Sequence, residues 1–169
     1  MSSSQIRPCF EGDLREVLEI VNDSAQAYRD VIPADAWHEP YMSMAELEAE
    51  VAAGVRFHGW DAEASLLGVM GIQDVKDVTL IRHAYVRTEC RGLGIGRRLL
   101  EHAEGLTGRP ILIGTWEDAA WAIRFYERNG YVLVGEADKD RLLAEYWTVP
   151  RRQAEVSVVL ADRRWRERV

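Results

Sequence analysis

The stretch Arg91-Gly92-Leu93-Gly94-Ile95-Gly96-Arg97 is the part of the chain best equipped for chemistry. It follows a β-branched run and precedes residues with helical periodicity, so it gathers unpaired backbone N–H groups at the positive end of a helix. Such a turn suits an anion, for example a pyrophosphate. Glycine is needed where the backbone curls tightly and approaches a ligand closely. The spacing excludes two common nucleotide sites. Arg97 stands three residues after Gly94 and Leu99 three after Gly96, so neither frame completes Gly-x-Gly-x-x-Gly. No lysine supplies the end of a Walker A loop. Taken alone, the turn would also read as a plain glycine-rich connection between strand and helix.

Other reactive side chains flank this turn. His83 lies in the preceding run, and histidine is the residue type suited to moving protons near neutrality. Alternation with period two places it on one face with Ile81 and Tyr85, opposite Arg82, Ala84 and Val86. A strand histidine is also a common structural residue. Glu117 and Asp118 follow the next apolar run and are comparable proton acceptors, or simply acids that favour a helix start. Cys9 and Cys90 stand far apart with no Cys-x-x-Cys or Cys/His cluster, so neither a disulfide framework nor a metal site is expected. A reducing, cytoplasmic setting follows.

The elements that must position these residues are legible in outline. Ile6 to Cys9 reads as a short strand, and Leu14, Leu18, Val21 and Ala25 as one face of a first helix. Tyr28 to Tyr41, with Pro33, Trp37 and Pro40, has no sustained period and reads as a loop. Ser43-x-x-Glu46 matches a capping box opening a second helix. Val55 to Trp60, Leu66 to Asp74 and Val78 to Val86 form an antiparallel meander. A helix through Leu99, Leu100 and Ala103, a strand from Ile111 to Gly114 and a helix ending at Asn129-Gly130 follow. Tyr131 to Gly135 and Glu155 to Ala161 are the last strands, separated by a polar stretch from Asp138 to Arg152. The expectation is one α+β domain over residues 1–169.

Length and composition agree. A chain of 169 residues with 47% hydrophobic side chains can bury a core without staples. The net charge is −7, and residues 151–169 hold six Arg against three acids, leaving −10 for residues 1–150. That balance argues against nucleic acid, whose affinity comes from basic side chains, and favours a cationic or neutral partner. The C-terminal arginines read as solvated. No apolar stretch is long enough for a leader or a membrane span.

Two motifs together resemble a known family. Arg91-x-x-Gly94-x-Gly96 after the strand Ala84-Tyr85-Val86 resembles the acetyl-CoA-binding motif of the GNAT N-acetyltransferase superfamily. Ala122-x-x-Phe125-Tyr126-Glu127-x-x-Gly130-Tyr131 is similar to the family's Ala-x-x-Phe-Tyr-x-x-x-Gly-Phe signature. The resemblance implies a mostly antiparallel, twisted sheet of about six to seven strands flanked by about four helices, with a splayed parallel strand pair holding acetyl-CoA. It implies that the backbone of Ala84, Tyr85 and Val86 meets the pantetheine arm. The N–H groups of Gly92, Leu93, Gly94, Ile95, Gly96 and Arg97 would then cradle the pyrophosphate beside Arg91 and Phe125.

The implied reaction is direct transfer of acetyl to a primary amine of a small molecule or peptide. Tyr126 holds the family position of the acid that protonates the leaving thiolate, and the Val86 N–H is a donor for the developing oxyanion. The family's strand glutamate is missing from Leu80-Ile81-Arg82-His83, so His83, Glu117, Asp118 or a water chain remain as the base. Ala119 stands where many relatives carry an Asn that contacts the cofactor, a loss of about 1 kcal/mol. Tyr28, Trp37 and Tyr41, with His38, Tyr146 and Trp147, fall where the family's variable acceptor pocket forms. Homodimers are frequent in the family. The missing base leaves a second reading open, a CoA-binding sensor or interaction module without catalysis.

Overall fold

The β-branched and aromatic runs pair into one sheet. In the computed structural model, which describes residues 3–168, the strands are β1 (Ser4–Pro8), β2 (Arg56–Ala62), β3 (Ser65–Val75), β4 (Val78–Val86), β5 (Ile111–Trp116), β6 (Val132–Leu133) and β7 (Ser157–Ala161). Their order is β1-β2-β3-β4-β5-β7-β6. β4 and β5 run parallel; every other neighbouring pair is antiparallel. The helices are α1 (Leu14–Ser24), α2 (Met44–Ala52), α3 (Ile95–Gly105), α4 (Ala120–Arg128), α5 (Glu136–Tyr146), α6 (Arg151–Glu155) and α7 (Arg163–Arg166). This is the expected α+β architecture, with three more helices near the C-terminus.

Helices cover both faces. Ile111 and Ile113 pack with α3 and α4, whereas Leu112 between them packs with α5, so alternate residues of β5 feed opposite cores. α1 and α2 lie on the α5 side, over Phe57, Leu66, Val69 and Tyr85. The buried stripe of α1 is Val17, Ile20 and Val21, with Leu14 and Leu18 at its margin. The apolar arc is thus centred one position away from the expected one. α3 lies directly on β3: a Cβ on Gly68 would come within 2.9 Å of Ile95 and 3.2 Å of Leu99.

β4 departs from simple alternation. Gly71 faces His83, but the next pair is Ile72 with Ile81, so Arg82 is an extra residue, a β-bulge. Ile81 therefore joins the α3/α4 core, while His83 and Tyr85 turn to the α1/α2 side with Phe57. The expected grouping of Ile81 with His83 and Tyr85 is overturned by this one residue.

Two C-terminal readings also change. The strand expected from Tyr131 to Gly135 is reduced to Val132–Leu133, and the polar stretch after it folds as α5 and α6. Only Lys139, Leu142, Leu143 and Tyr146 of α5 are buried, too narrow a stripe to stand out in sequence. Of the C-terminal arginines, Arg151 and Arg163 are solvated as expected, but Arg164 and Arg168 are fastened. Arg164 donates to the carbonyls of Thr107 (2.6 Å), Arg109 (3.0 Å) and Glu104 (3.1 Å), closing the end of α3, and Arg168 pairs with Asp77.

Candidate functional site

The parallel pairing of β4 with β5 runs only from Thr79–Ile111 to Ile81–Ile113. Beyond it the strands diverge, β5 staying with β7 through Gly114, Thr115 and Trp116. Residues 82–86 of β4 face no strand on that edge, and unpaired backbone groups of this kind need a partner. A cavity of about 640 Å³ fills the gap. Its wall includes Ile81 to Val86, so it opens to both faces of the sheet.

On the α3/α4 side the wall carries Arg91, Gly96, Leu99, Phe125 and Tyr126. Gly92 and Gly94 both have φ of +79°, and a Cβ on either would meet nothing within 4 Å. The glycines are therefore required by backbone conformation, which disfavours side chains, and leave open space above the turn. α3 has no side-chain cap, and its first internal bond runs from Arg98 N to Gly94 O at 3.2 Å. The N–H groups of Ile95, Gly96 and Arg97 are thus free at the positive end of the helix. Gly92, Leu93, Gly94, Ile95 and Arg97 build the turn without lining the cavity. The Ile95 side chain is core, Leu93 is exposed, and Arg97 pairs with Glu101 at 3.0 Å. Arg91 is anchored to the end of α1 through the Ser24 carbonyl at 3.2 Å.

Tyr126 is buried, and that burial alone pushes its phenol pKa above the ordinary value. Its ring meets Phe125 and Tyr131 edge-on, with centroids 5.1 and 6.0 Å away. Tyr85 points into the α1/α2 core, so only its backbone belongs to the α3/α4 side.

On the other side the cavity wall carries aromatic and acidic residues. Trp37, Tyr41, Tyr28 and Trp121 form a row with successive centroids 5.8, 5.5 and 5.8 Å apart. Tyr28, Tyr41 and His38 line the cavity; Trp37 supports Tyr41 from behind. Trp116 donates to the Tyr41 hydroxyl at 3.0 Å. Trp147 lines the opposite end over Gly114, whereas Tyr146 turns away and donates to Asp77 at 2.7 Å.

Glu117 and Asp118 are exposed, lie outside the cavity wall and cap nothing, because β5 ends in a turn that points them outward. His83 does line the cavity, hydrogen-bonded through Nε2 to the Glu50 carboxylate. Arg82 reaches the other oxygen of Glu50 at 3.5 Å. Burial opposes ionisation of Glu50, but the His83 hydrogen bond and the electrostatics of His83 and Arg82 outweigh it and hold its pKa below the usual carboxylate range. Glu46 lines the same wall. Both acids lie on α2, more than thirty residues before His83, and nothing local in the sequence links that helix to β4. The spacing of Glu46 and Glu50 on one helix face was the available signal.

Residues 45–133, over half of the chain, match the family model described as Acetyltransferase (GNAT) domain. The chain belongs to the GNAT acetyltransferase family. Among solved structures, this GNAT chain is similar to a PaiA N-acetyltransferase from Thermoplasma acidophilum in complex with coenzyme A. The two are 18% identical with a TM-score of 0.72, covering 95% of this chain and 98% of that one. It is similar too to the ribosomal-protein-S18-alanine N-acetyltransferase of Escherichia coli, at 16% identity and a TM-score of 0.65 over 95% and 93% of the two chains. YjaB of Escherichia coli, solved in its apo form, shares 22% identity and a TM-score of 0.62 over 94% and 97%. No curated protein sequence matches the chain. As a GNAT acetyltransferase it uses acetyl-CoA as cosubstrate, and its residues fit that molecule: free N–H groups for a pyrophosphate, an unpaired strand edge for an amide-bearing arm, and a gap leading to Tyr126. Among the described residues no helix is long and apolar enough to cross a membrane, and no group of three or more His, Cys, Asp or Glu is placed to hold a metal.

Proposed function

We propose that the chain acetylates a primary amine of a small molecule or peptide, by direct attack within a ternary complex. What carries this reading is the continuity of the cavity: one space joins the glycine turn and Tyr126 to the acidic, aromatic chamber through the gap between β4 and β5. Acetyl-CoA supplies the activated acyl group as a thioester, which becomes an amide and a free thiol. The chain's residues perform three tasks. Glu50, held ionised by His83 and Arg82, attracts the acceptor ammonium and takes its proton directly or through one water. The unpaired edge of β4 near Val86 offers backbone donors to the developing oxyanion. Tyr126, kept protonated by its burial, gives its proton to the departing sulfur.

His83 acts through Glu50: a carboxylate only accepts, so Nε2 carries the proton between them. Glu50 in the cavity wall counts against a non-catalytic CoA sensor, the reading that a missing base would favour. The same proposal includes a reducing, cytoplasmic setting, consistent with free thiols at Cys9 and Cys90. The test is thiol release from acetyl-CoA across polyamines, aminoglycosides, amino acids and peptide N-termini. Acceptor-dependent release that falls in Glu50→Gln is expected. Tight CoA binding with no release on any amine would move the assignment to the sensor.

A further inference from the structure

We propose that His58 and His102 form a metal site of their own, a two-imidazole seat for a divalent late transition cation such as Zn²⁺, which staples α3 to the sheet. The two residues are 44 apart in sequence. His58 lies on β2, paired with Met70 of β3 and Pro8 of β1, and His102 lies in the last turn of α3. The packing of α3 on that face of the sheet brings His102 Nε2 to 3.2 Å from His58 Nδ1. Both residues stand outside the cavity wall, so acetyl transfer neither uses nor explains the pair.

The spacing is that of a chelate. Two imidazole nitrogens each bound at ~2.0–2.1 Å to one tetrahedral zinc stand roughly 3.3 Å from one another. The orientation agrees with the spacing. The ring centroids are 5.0 Å apart with the planes inclined at 53°, closer than two rings aimed head-on across 3.2 Å could stand, because each nitrogen projects outward from its ring centre. The axis of at least one nitrogen is therefore bent off the line between them. A hydrogen bond weakens as its donor leaves that line, whereas two ligands of one metal must both leave it, toward a common point.

Donor type and surroundings select the cation. Imidazole suits zinc, copper and nickel, whereas calcium and magnesium take oxygen ligands. His58 Nε2 and His102 Nδ1, on the far sides of the rings, have no hydrogen bond among the described residues and are not buried orphans. Water reaches them, so each can carry its ring's proton while the facing nitrogen binds. The last turn of α3 is the negative end of that helix, which favours a cation beside His102. The neighbouring guanidinium groups are engaged elsewhere: Arg56 pairs with Asp74 at 3.4 Å, and Arg98 lies over the Trp60 ring. Among the described residues no third His, Cys, Asp or Glu joins the pair, so water completes the coordination shell and the metal is exchangeable.

The experiment titrates Zn²⁺ alone into the full chain at pH ~7 by calorimetry, alongside His58→Gln, His102→Gln and the control His38→Gln, whose ring meets the Pro40 carbonyl instead. One Zn²⁺ per chain is expected. Losing either ligand should weaken it by at least the ~10-fold that losing a ligand's supporting hydrogen bond costs, while His38→Gln binds as the unmodified protein does. At ~100 times its Kd, Zn²⁺ should raise Tm by about 5–10 °C in the unmodified protein and in His38→Gln, and in neither ligand variant. His102 is half-buried on a helix surface, so His102→Gln keeps the comparison decisive should His58→Gln fail to fold, its far-ultraviolet spectrum showing that the helices are intact. X-ray absorption of the zinc complex should find nitrogen or oxygen neighbours at ~2.0–2.1 Å and no sulfur at ~2.3 Å, which separates this site from Cys9 and Cys90. Zn²⁺ binding that survives in His102→Gln, a sulfur neighbour, or no binding below millimolar Zn²⁺ overturns the proposal.

Discussion

Burial raises the Tyr126 pKa, so the phenol keeps its proton throughout the neutral and mildly alkaline range and stays able to donate. Tyr126→Phe is therefore expected to lower kcat by about 10²-fold by the same factor from pH ~6 to ~9, leaving CoA affinity nearly unchanged. A kcat that does not move removes the acid role; a factor that shrinks toward high pH would mean that the phenol titrates. Glu50 behaves in the opposite sense. Its folded pKa lies below the ordinary one, so its contribution to stability is full above the unfolded carboxylate value and is lost as pH falls through the folded value. Glu50→Gln should melt below the unmodified protein at pH ~7, and the gap should close below the ordinary carboxylate range near ~4. A gap independent of pH would show that the charge is not what stabilises. Tyr126 was legible because its neighbours Phe125 and Gly130 sit at fixed offsets within one helix and its cap. Glu50 was not, because its value comes from a contact across β4 that only the fold creates.

At the scale of elements, the turn and the two helices it serves make separable predictions. Gly94 has φ of +79° and open space around it. Gly94→Ala should cost roughly 1–2 kcal/mol of stability from backbone strain alone, whereas Gly94→Asp adds a negative charge where an anion is expected and should abolish CoA binding. Calorimetric binding by Gly94→Asp would refute the placement of the pyrophosphate. Ser43→Ala removes the only side-chain cap of α2 and should cost about 1 kcal/mol, lowering Tm by about 2–4 °C; an unchanged melt would show that packing through Leu47 fixes the helix by itself. The elements whose signals are local, namely the glycine turn, the Ser43 cap and the β2–β4 meander, could be read directly. The bulge at Arg82 could not, since it is a mismatch between two strands and leaves no mark on either sequence. Nor could α5, whose few inward residues are diluted by charged ones.

For the molecule as a whole, the decisive geometry is a sheet that is split at β4 and β5 yet covered by helices on both faces. A ligand seated in that gap touches backbone from β4, the start of α3 and side chains of α4, so its binding energy is linked to the folding of the entire sheet and not of one half. If residues 1–169 form one cooperative unit, CoA at about 100 times its Kd adds about 2.7 kcal/mol. For a chain of this size that raises Tm by roughly 5–10 °C in a single transition, visible by scanning calorimetry. Gly94→Asp should melt in one transition too but show no shift, because its fold is intact and only the anion seat is lost. A CoA-dependent shift confined to one of two transitions would mean that the N-terminal strands and α1 unfold separately from the site. Since Arg91 ties the turn to α1 at Ser24 and Arg164 ties the far end of α3 to the C-terminal helix, both ends of the chain are anchored to the helix that would hold the cofactor, and the single, fully shifted transition is the outcome this connectivity requires.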